Sequence, residues 1–105
     1  MSSLTILELK KLIETDPGLV IIDIRTEWEV KDGKIPKAVW IDISSCEFMQ
    51  KITALPKDKT YCLYCASGGR TSMVVPFMEQ SGFTKVYDLK GGIVSWMISG
   101  NPLEK

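Results

Sequence analysis

Histidine is absent from the 105 residues. That excludes a Cys–His nucleophile pair and every zinc site that includes histidine, so a reactive cysteine here has to be ionised by other means. Cysteine is scarce, at three. An odd number in a chain this apolar argues against a disulfide framework and for a reducing compartment with at least one functional thiol. No run of one charge sign occurs, and 13 Lys and Arg balance 13 Asp and Glu. Without a general field, neither nucleic acid nor a membrane surface is expected as a partner. No apolar run approaches the roughly 20 residues that span a bilayer. Met1-Ser2-Ser3-Leu4 leads into a charged helical pattern, without the basic region and apolar core of a secretory signal. A cytoplasmic protein is expected. Linkers, repeats and low-complexity tracts are also missing, and a chain of this length buries roughly two-thirds of its unfolded surface. One domain over residues 1–105 is predicted, with a core that needs neither metal nor cofactor.

What is present is an alternation. Thr5 and Glu8 have capping-box spacing, and Leu9, Leu12 and Ile13 continue a helical pattern until Asp16-Pro17-Gly18 breaks it. Residues 19–24 form an almost continuous apolar run, the mark of a strand buried on both faces. Thr26 and Glu29 repeat the capping-box spacing before a short helix that Gly33 ends; Glu27 and Glu29 read as solvated members of that cap. Residues 38–41 read as a brief strand, and Ser44 with Glu47 repeats the box before a helix carrying Phe48, Met49 and Ile52. Residues 60–64 and 85–89 are two further buried strands. Between them Met73, Val74, Phe77 and Met78 recur at helical spacing, and Pro76 kinks that helix unless it lies in the first turn. Gly91-Gly92 opens a last helix through Ile93, Trp96 and Met97. Strands alternating with helices over short connections predict an α/β fold: a single open, mainly parallel sheet of about four to five strands with helices on both faces.

In such sheets ligands sit beyond the carboxyl ends of the strands. The strand at 60–64 ends on Cys65-Ala66-Ser67-Gly68-Gly69-Arg70. Two glycines able to take positive φ and an arginine entering a helix are the parts of an anion cradle. A free thiol with a pKa near 8.5 is only about 3% thiolate at neutral pH, and lowering it by roughly two units makes most of it nucleophilic. Backbone N–H groups from Ala66 to Arg70, the helix N-terminus and the Arg70 guanidinium all favour negative charge on the Cys65 sulfur, and none needs histidine.

Several ordered motifs resemble the single-domain rhodanese-like sulfurtransferases over nearly the full chain. Asp23-Ile24-Arg25 matches the family's D-x-R after the first buried strand, and Gly33-Lys34-Ile35-Pro36-Lys37-Ala38 resembles G-H-I-P-G-A. Residues 65–70 match the active loop, and Leu89-Lys90-Gly91-Gly92 with Trp96 matches L-x-G-G-x-x-x-W. The resemblance implies that Cys65 takes a sulfane sulfur from a donor such as thiosulfate or polysulfide, holds it as a persulfide and passes it to a thiophilic acceptor such as cyanide or a thiol. The loop amides would cradle the persulfide and Arg70 would bind an anionic donor. Lys34 stands where the family often has histidine, Lys37 where it often has glycine and Trp40 where a small polar residue is common. The two lysines leave donor preference open.

Rival readings share some of these parts. Protein tyrosine phosphatases and arsenate reductases use a cysteine and an arginine around an amide cradle, but with five residues between them; here four intervene, a smaller space suited to one sulfur, and no general acid is identifiable. A persulfide carrier for a protein partner shares the same loop, and a rhodanese-like binding module without catalysis is a further alternative that the retained loop opposes. Cys62 and Cys65 form a C-x-x-C that strand geometry places on opposite faces, which assigns Cys62 to the core. Cys46, at a helix start, reads as incidental before it reads as a resolving thiol. Asp23 and Arg25 are expected to tie neighbouring loops by charge-assisted hydrogen bonds without touching substrate. Trp28 and Trp96 read as core or rim packing, as does the Met and Phe stripe after the loop.

Overall fold

In the computed structural model, which describes residues 3–105, the central feature is β4 (Thr60–Tyr64), all five residues of which are buried. Its side chains alternate between two cores, as the strand period of two requires. Tyr61, Leu63 and the following Cys65 point into one core, while Cys62 and Tyr64 point into the other. β2 (Val20–Asp23) pairs with β4 on one side and β5 (Lys85–Leu89) on the other, both parallel. β3 (Val39–Trp40) extends the sheet beyond β2. A two-residue strand, β1 (Ser3–Leu4), lies outside β5 and was not foreseen from the sequence. The order is β1-β5-β4-β2-β3, five strands and all parallel, so the α/β class and the strand count of the sequence reading hold.

Helices cover both faces. α1 (Ile6–Thr15) and α5 (Gly92–Ile98) place Leu9, Ile93 and Trp96 on the face that receives Cys62 and Tyr64. α3 (Phe48–Thr53) and α4 (Thr71–Gln80) place Phe48, Ile52, Val74, Val75 and Met78 on the face that receives Leu63 and Cys65. Thr5 and Glu8 form the expected reciprocal cap of α1. α2 (Glu27–Val30) begins at Thr26, whose N–H and hydroxyl both donate to Glu29 Oε1 at 3.1 Å.

Three expectations need correction. Ser44 does not cap α3, because its N–H and hydroxyl turn back to Asp42 Oδ1 at 2.8 and 2.6 Å; the residue before α3 is Glu47. Met73 is not core: it is 76% exposed and lines a groove with Phe48 and Met49 of α3. Pro76, by contrast, lies in the second turn of α4, the placement for which the sequence reading expects a kink, and α4 runs on to Gln80. Proline there deprives the Ser72 carbonyl of its helical donor. Trp96 is buried and its Nε1 donates to Pro102 O, whereas Trp28 is 79% exposed with Lys31 Nζ over its ring. Among the described residues no helix is long and apolar enough to cross a membrane.

Candidate active site

Cys65 is the first residue after β4 and only 1% exposed. The chain then reverses. Gly68 adopts φ +108, which an L side chain rarely permits, and this turn aims its N–H back at Cys65 Sγ over 3.1 Å. The amides of Arg70 and Thr71 face the same sulfur, and Thr71 Oγ1 lies 4.0 Å from it. Burial alone would push the thiol pKa up, but the amides of Thr71, Arg70 and Gly68 and the Thr71 hydroxyl outweigh it and hold the pKa below the ordinary thiol value. No histidine is needed, in keeping with the composition.

The back of the loop is fixed by α5. Cys65 O accepts from Ile93 N–H at 3.0 Å and Ala66 O from Val94 N–H at 3.2 Å. These bonds turn the negative ends of two peptides away from the sulfur. They also bring the chains so close that a Cβ on Gly92 would stand 2.5 Å from each carbonyl oxygen. The donors that reach Sγ therefore belong to residues 68, 70 and 71. Ala66 contributes its carbonyl to the clamp, while Ser67 and Gly69 are exposed on the loop. Gly69 has open space where a Cβ would stand and no positive φ, so only one of the two loop glycines is used for its left-handed freedom.

Arg70 precedes α4, and its guanidinium is occupied. Nη1 and Nη2 donate to Oε1 and Oε2 of Glu29 at 2.8 and 2.9 Å. Glu29 is thus not merely a solvated cap residue; the Arg70 hydrogen bonds in first place, with those from Thr26, overcome burial and bring its pKa down to about 2. The Arg70 charge also interacts favourably with a thiolate on Cys65.

Beneath the loop lies a buried ionic network. Arg25 Nε and Nη2 grip the Asp23 carboxylate at 2.7–3.1 Å, and Nη2 also donates to Gly33 O at 2.7 Å. Tyr64 OH, one residue before the cysteine, donates to Asp23 Oδ2 at 2.7 Å and accepts from Ile35 N–H at 3.0 Å. Burial first and then the Asp23 carboxylate push the tyrosine pKa up, so the phenol keeps its proton as a donor. Trp40 Nε1 closes the group on Arg25 O at 2.7 Å. Asp23 and Arg25 thereby join β2, the 33–35 segment and β4 without reaching Sγ.

The remaining candidates stand apart. All three cysteines are free; Cys46 is exposed, and Cys62, on the opposite face, has its pKa raised to about 12 by burial and then by Asp88. Lys34 Nζ is taken by Glu104 Oε2 at 2.8 Å and Ala38 O at 3.0 Å. Lys37 lines clefts with Ile13 and Pro36 that include none of the loop residues. Neither lysine adds charge at the sulfur. Among the described residues no group of His, Cys, Asp and Glu is placed to hold a metal ion. Glu29, Thr71, Tyr64 and Gly92 were missed as site residues by sequence reasoning. Only Gly92 carried a signal, its place in the L-x-G-G motif.

Other proteins resemble this chain in sequence and fold. The family model described as Rhodanese-like domain matches residues 5–99. YtwF of Bacillus subtilis, which carries a sulfurtransferase name, is 39% identical over 88 residues, covering 84% of this chain and 82% of that protein. A protein named Sulfurtransferase from Allochromatium vinosum is 31% identical, with coverage of 90% and 85%. A crystal structure of a rhodanese-related protein from Thermoplasma volcanium superposes with TM-score 0.87 at 32% identity, covering 99% of this chain and 98% of that one. With the family model spanning most of its length, and the cysteine loop and its supports in place, the chain belongs to the rhodanese-like domain family.

Proposed function

We propose that the protein is a cytoplasmic sulfurtransferase that moves a sulfane sulfur through a persulfide on Cys65. The observation that carries this reading is a single buried sulfur at the end of β4 with the Gly68 N–H aimed at it over 3.1 Å and the Thr71 hydroxyl 4.0 Å away, in surroundings that hold its pKa below the ordinary thiol value. Such donors are fixed by the fold and need no reorganisation as charge develops. The Cys65 thiolate attacks the outer sulfur of thiosulfate; the new S–S bond forms as the old one breaks, and sulfite departs with the electron pair. Cyanide or a thiolate then attacks the outer sulfur of the Cys65 persulfide. Thiocyanate or the acceptor persulfide leaves, and the Cys65 thiolate is restored. Polysulfide would load the same atom with a shorter polysulfide as leaving group.

In this proposal the 66–70 segment encloses the transferred sulfur, Thr71 completes the cradle, and Arg70 lies beside the incoming donor. Asp23 and Arg25 are positioning residues, acting through Tyr64 and the backbone that precedes Cys65. A phosphatase reading finds less support. With its pKa near 2, Glu29 carries no proton to donate at neutral pH, although its carboxylate lies beside the loop. A protein thiol can serve as the acceptor by the same chemistry.

The test is direct. The protein is incubated with thiosulfate or polysulfide, its intact mass is measured for one added sulfur, and cyanide is added to discharge it as thiocyanate. Loading is expected in the parent and not in Cys65→Ser. Undiminished loading in that variant removes the assignment, and hydrolysis of an aryl phosphate by the parent would favour phosphatase chemistry.

A further inference from the structure

The segment that follows α5 returns across the 33–37 loop and is tied to it closely. Pro102 O accepts from Trp96 Nε1 at 2.7 Å, and Leu103 packs against the core that holds Tyr64 and Trp96, so near Gly33 that a Cβ there would stand 3.1 Å from the leucine. Glu104 then forms an antiparallel bridge with Lys34, the two exchanging N–H···O bonds of 2.7 and 2.9 Å. Its carboxylate completes the tie. Oε2 accepts from Lys34 Nζ at 2.8 Å and Oε1 from Lys37 N–H at 2.9 Å.

The loop held in this way reaches the network beneath the nucleophile on both sides of Lys34. Gly33 O accepts from Arg25 Nη2 at 2.7 Å, and Ile35 N–H donates to Tyr64 OH at 3.0 Å. Tyr64 and Cys65 are neighbours on opposite faces of the sheet. A shift of the strand end that follows the tyrosine ring on one face therefore moves Sγ on the other. The bond that Sγ accepts from Gly68 N–H, at 3.1 Å, weakens as the two atoms part or lose alignment.

We infer that residues 102–104 are a strap that sets the reactivity of Cys65 through Ile35 and Tyr64, with Glu104 as a positioning residue. The partners of Glu104 lie at 34 and 37, outside the cysteine loop. Its charge contact is also the softer end of the connection. The Lys34 and Glu104 side chains are 22% and 45% exposed, against 6% and 0% for the Arg25–Asp23 pair, so salt and solvent reach the strap before they reach the network beneath it. The strap thereby links the nucleophile to a contact at the protein surface.

The pH profile of Cys65 alkylation by iodoacetamide, a neutral probe, separates two effects: its midpoint reads the thiolate, and its plateau reads access to the sulfur. Glu104→Gln keeps the size of the side chain and removes its charge. It is expected to raise the midpoint and to slow alkylation about threefold on the rising limb, the low end of coupling within one hydrogen-bond network. In a Tyr64→Phe background the same substitution is expected to add no further shift, because the link from Ile35 is already cut. If Tyr64→Phe does not fold, deuterium uptake at the Ile35 amide replaces it: faster uptake in Glu104→Gln supports the route, and an unchanged rate overturns it. A folded Glu104→Gln with the parent's midpoint, or an undiminished shift in the Tyr64→Phe background, also overturns the inference. None of these measurements uses a sulfur donor, so they succeed or fail independently of the sulfurtransferase reading.

Discussion

Arg70 and Glu29, 41 residues apart in sequence, meet in a two-pronged ion pair that joins the start of α4 to the short helix α2 at the rim of the cysteine loop. Its acid partner has a folded pKa of about 2 against an ordinary 4.5. A carboxylate depressed in the folded state contributes stability that is present above its unfolded pKa and lost as pH falls through the folded value. Both side chains are about one-third exposed, so screening holds the contribution to about 1 kcal/mol. The stability difference between the parent and Glu29→Gln is expected to shrink between pH 5 and pH 2 in urea titrations. A difference constant over that window would show that the pair contributes nothing through its charge.

Gly92 and Gly69 are both glycines near the loop, with opposite expectations. A Cβ at 92 would overlap two carbonyl oxygens that α5 must hold, in a backbone already at positive φ. Gly92→Ala is expected to cost roughly 2–4 kcal/mol and to raise the Cys65 pKa as the loop shifts. A Cβ on Gly69 meets nothing within 4 Å, so Gly69→Ala should change stability by less than about 0.5 kcal/mol. Denaturant unfolding separates the two, and equal losses would mean that the clamp on the Cys65 and Ala66 carbonyls is not what fixes the loop.

Thiol reactivity tests the cradle one donor at a time. Alkylation of Cys65 by iodoacetamide, followed by peptide mass mapping, should show a midpoint below that of an ordinary free thiol. Thr71→Val keeps the backbone amide and deletes the hydroxyl, and is expected to move that midpoint upward. Cys62, with a pKa near 12, should remain unlabelled in the folded protein. A Thr71→Val midpoint unchanged from the parent would assign the whole effect to the backbone.

Lys37 is the sole non-glycine at positive φ among the described residues, at +69. Its side chain is exposed, and it stands where the resemblance leads one to expect glycine. Lys37→Gly is expected to stabilise the protein by about 0.5–1 kcal/mol through relief of that conformation, visible as a raised thermal midpoint. A lowered midpoint would mean that loss of the lysine side chain outweighs the relief.

The buried pair beneath the loop is expected to behave differently from the exposed one. Arg25→Lys keeps the charge but loses the fork that holds Asp23 and Gly33 O together, and should destabilise by about 3 kcal/mol or more. Tyr64→Phe removes one link and should cost about 1–3 kcal/mol, since Asp23 Oδ2 and Ile35 N–H each lose a partner. If Tyr64→Phe costs as much as Arg25→Lys, the tyrosine bridge outweighs the ion pair.

What the sequence disclosed depended on how far apart the interacting residues lie. Runs such as 60–64 announce a buried strand by themselves, and Thr5 with Glu8 announces a helix start because both partners of the cap fall within one turn. β1 escaped notice because two residues cannot display a period. The Ser44–Glu47 spacing misled because Asp42, two residues upstream, offered Ser44 a closer acceptor. Thr26–Glu29 was read for its local meaning, and the same carboxylate was free to bind Arg70, a contact that only the sheet order creates. The loop was visible through its composition, whereas its donors shifted toward Thr71 because the positive φ falls on Gly68 alone of the two glycines.

Because Cys65 leaves the central strand of the sheet while Gly68 and Arg70 sit half-buried on the turn that leads into α4, the two should differ sharply in amide exchange. The β4 hydrogens are expected to exchange only when the whole protein opens, and those of Gly68 and Arg70 through local motion of the turn. Negative charge on sulfur strengthens their hydrogen bonds. The exchange rates of those two amides would then follow the ionisation of Cys65, so that the loop reports the state of its own nucleophile to anyone observing deuterium uptake.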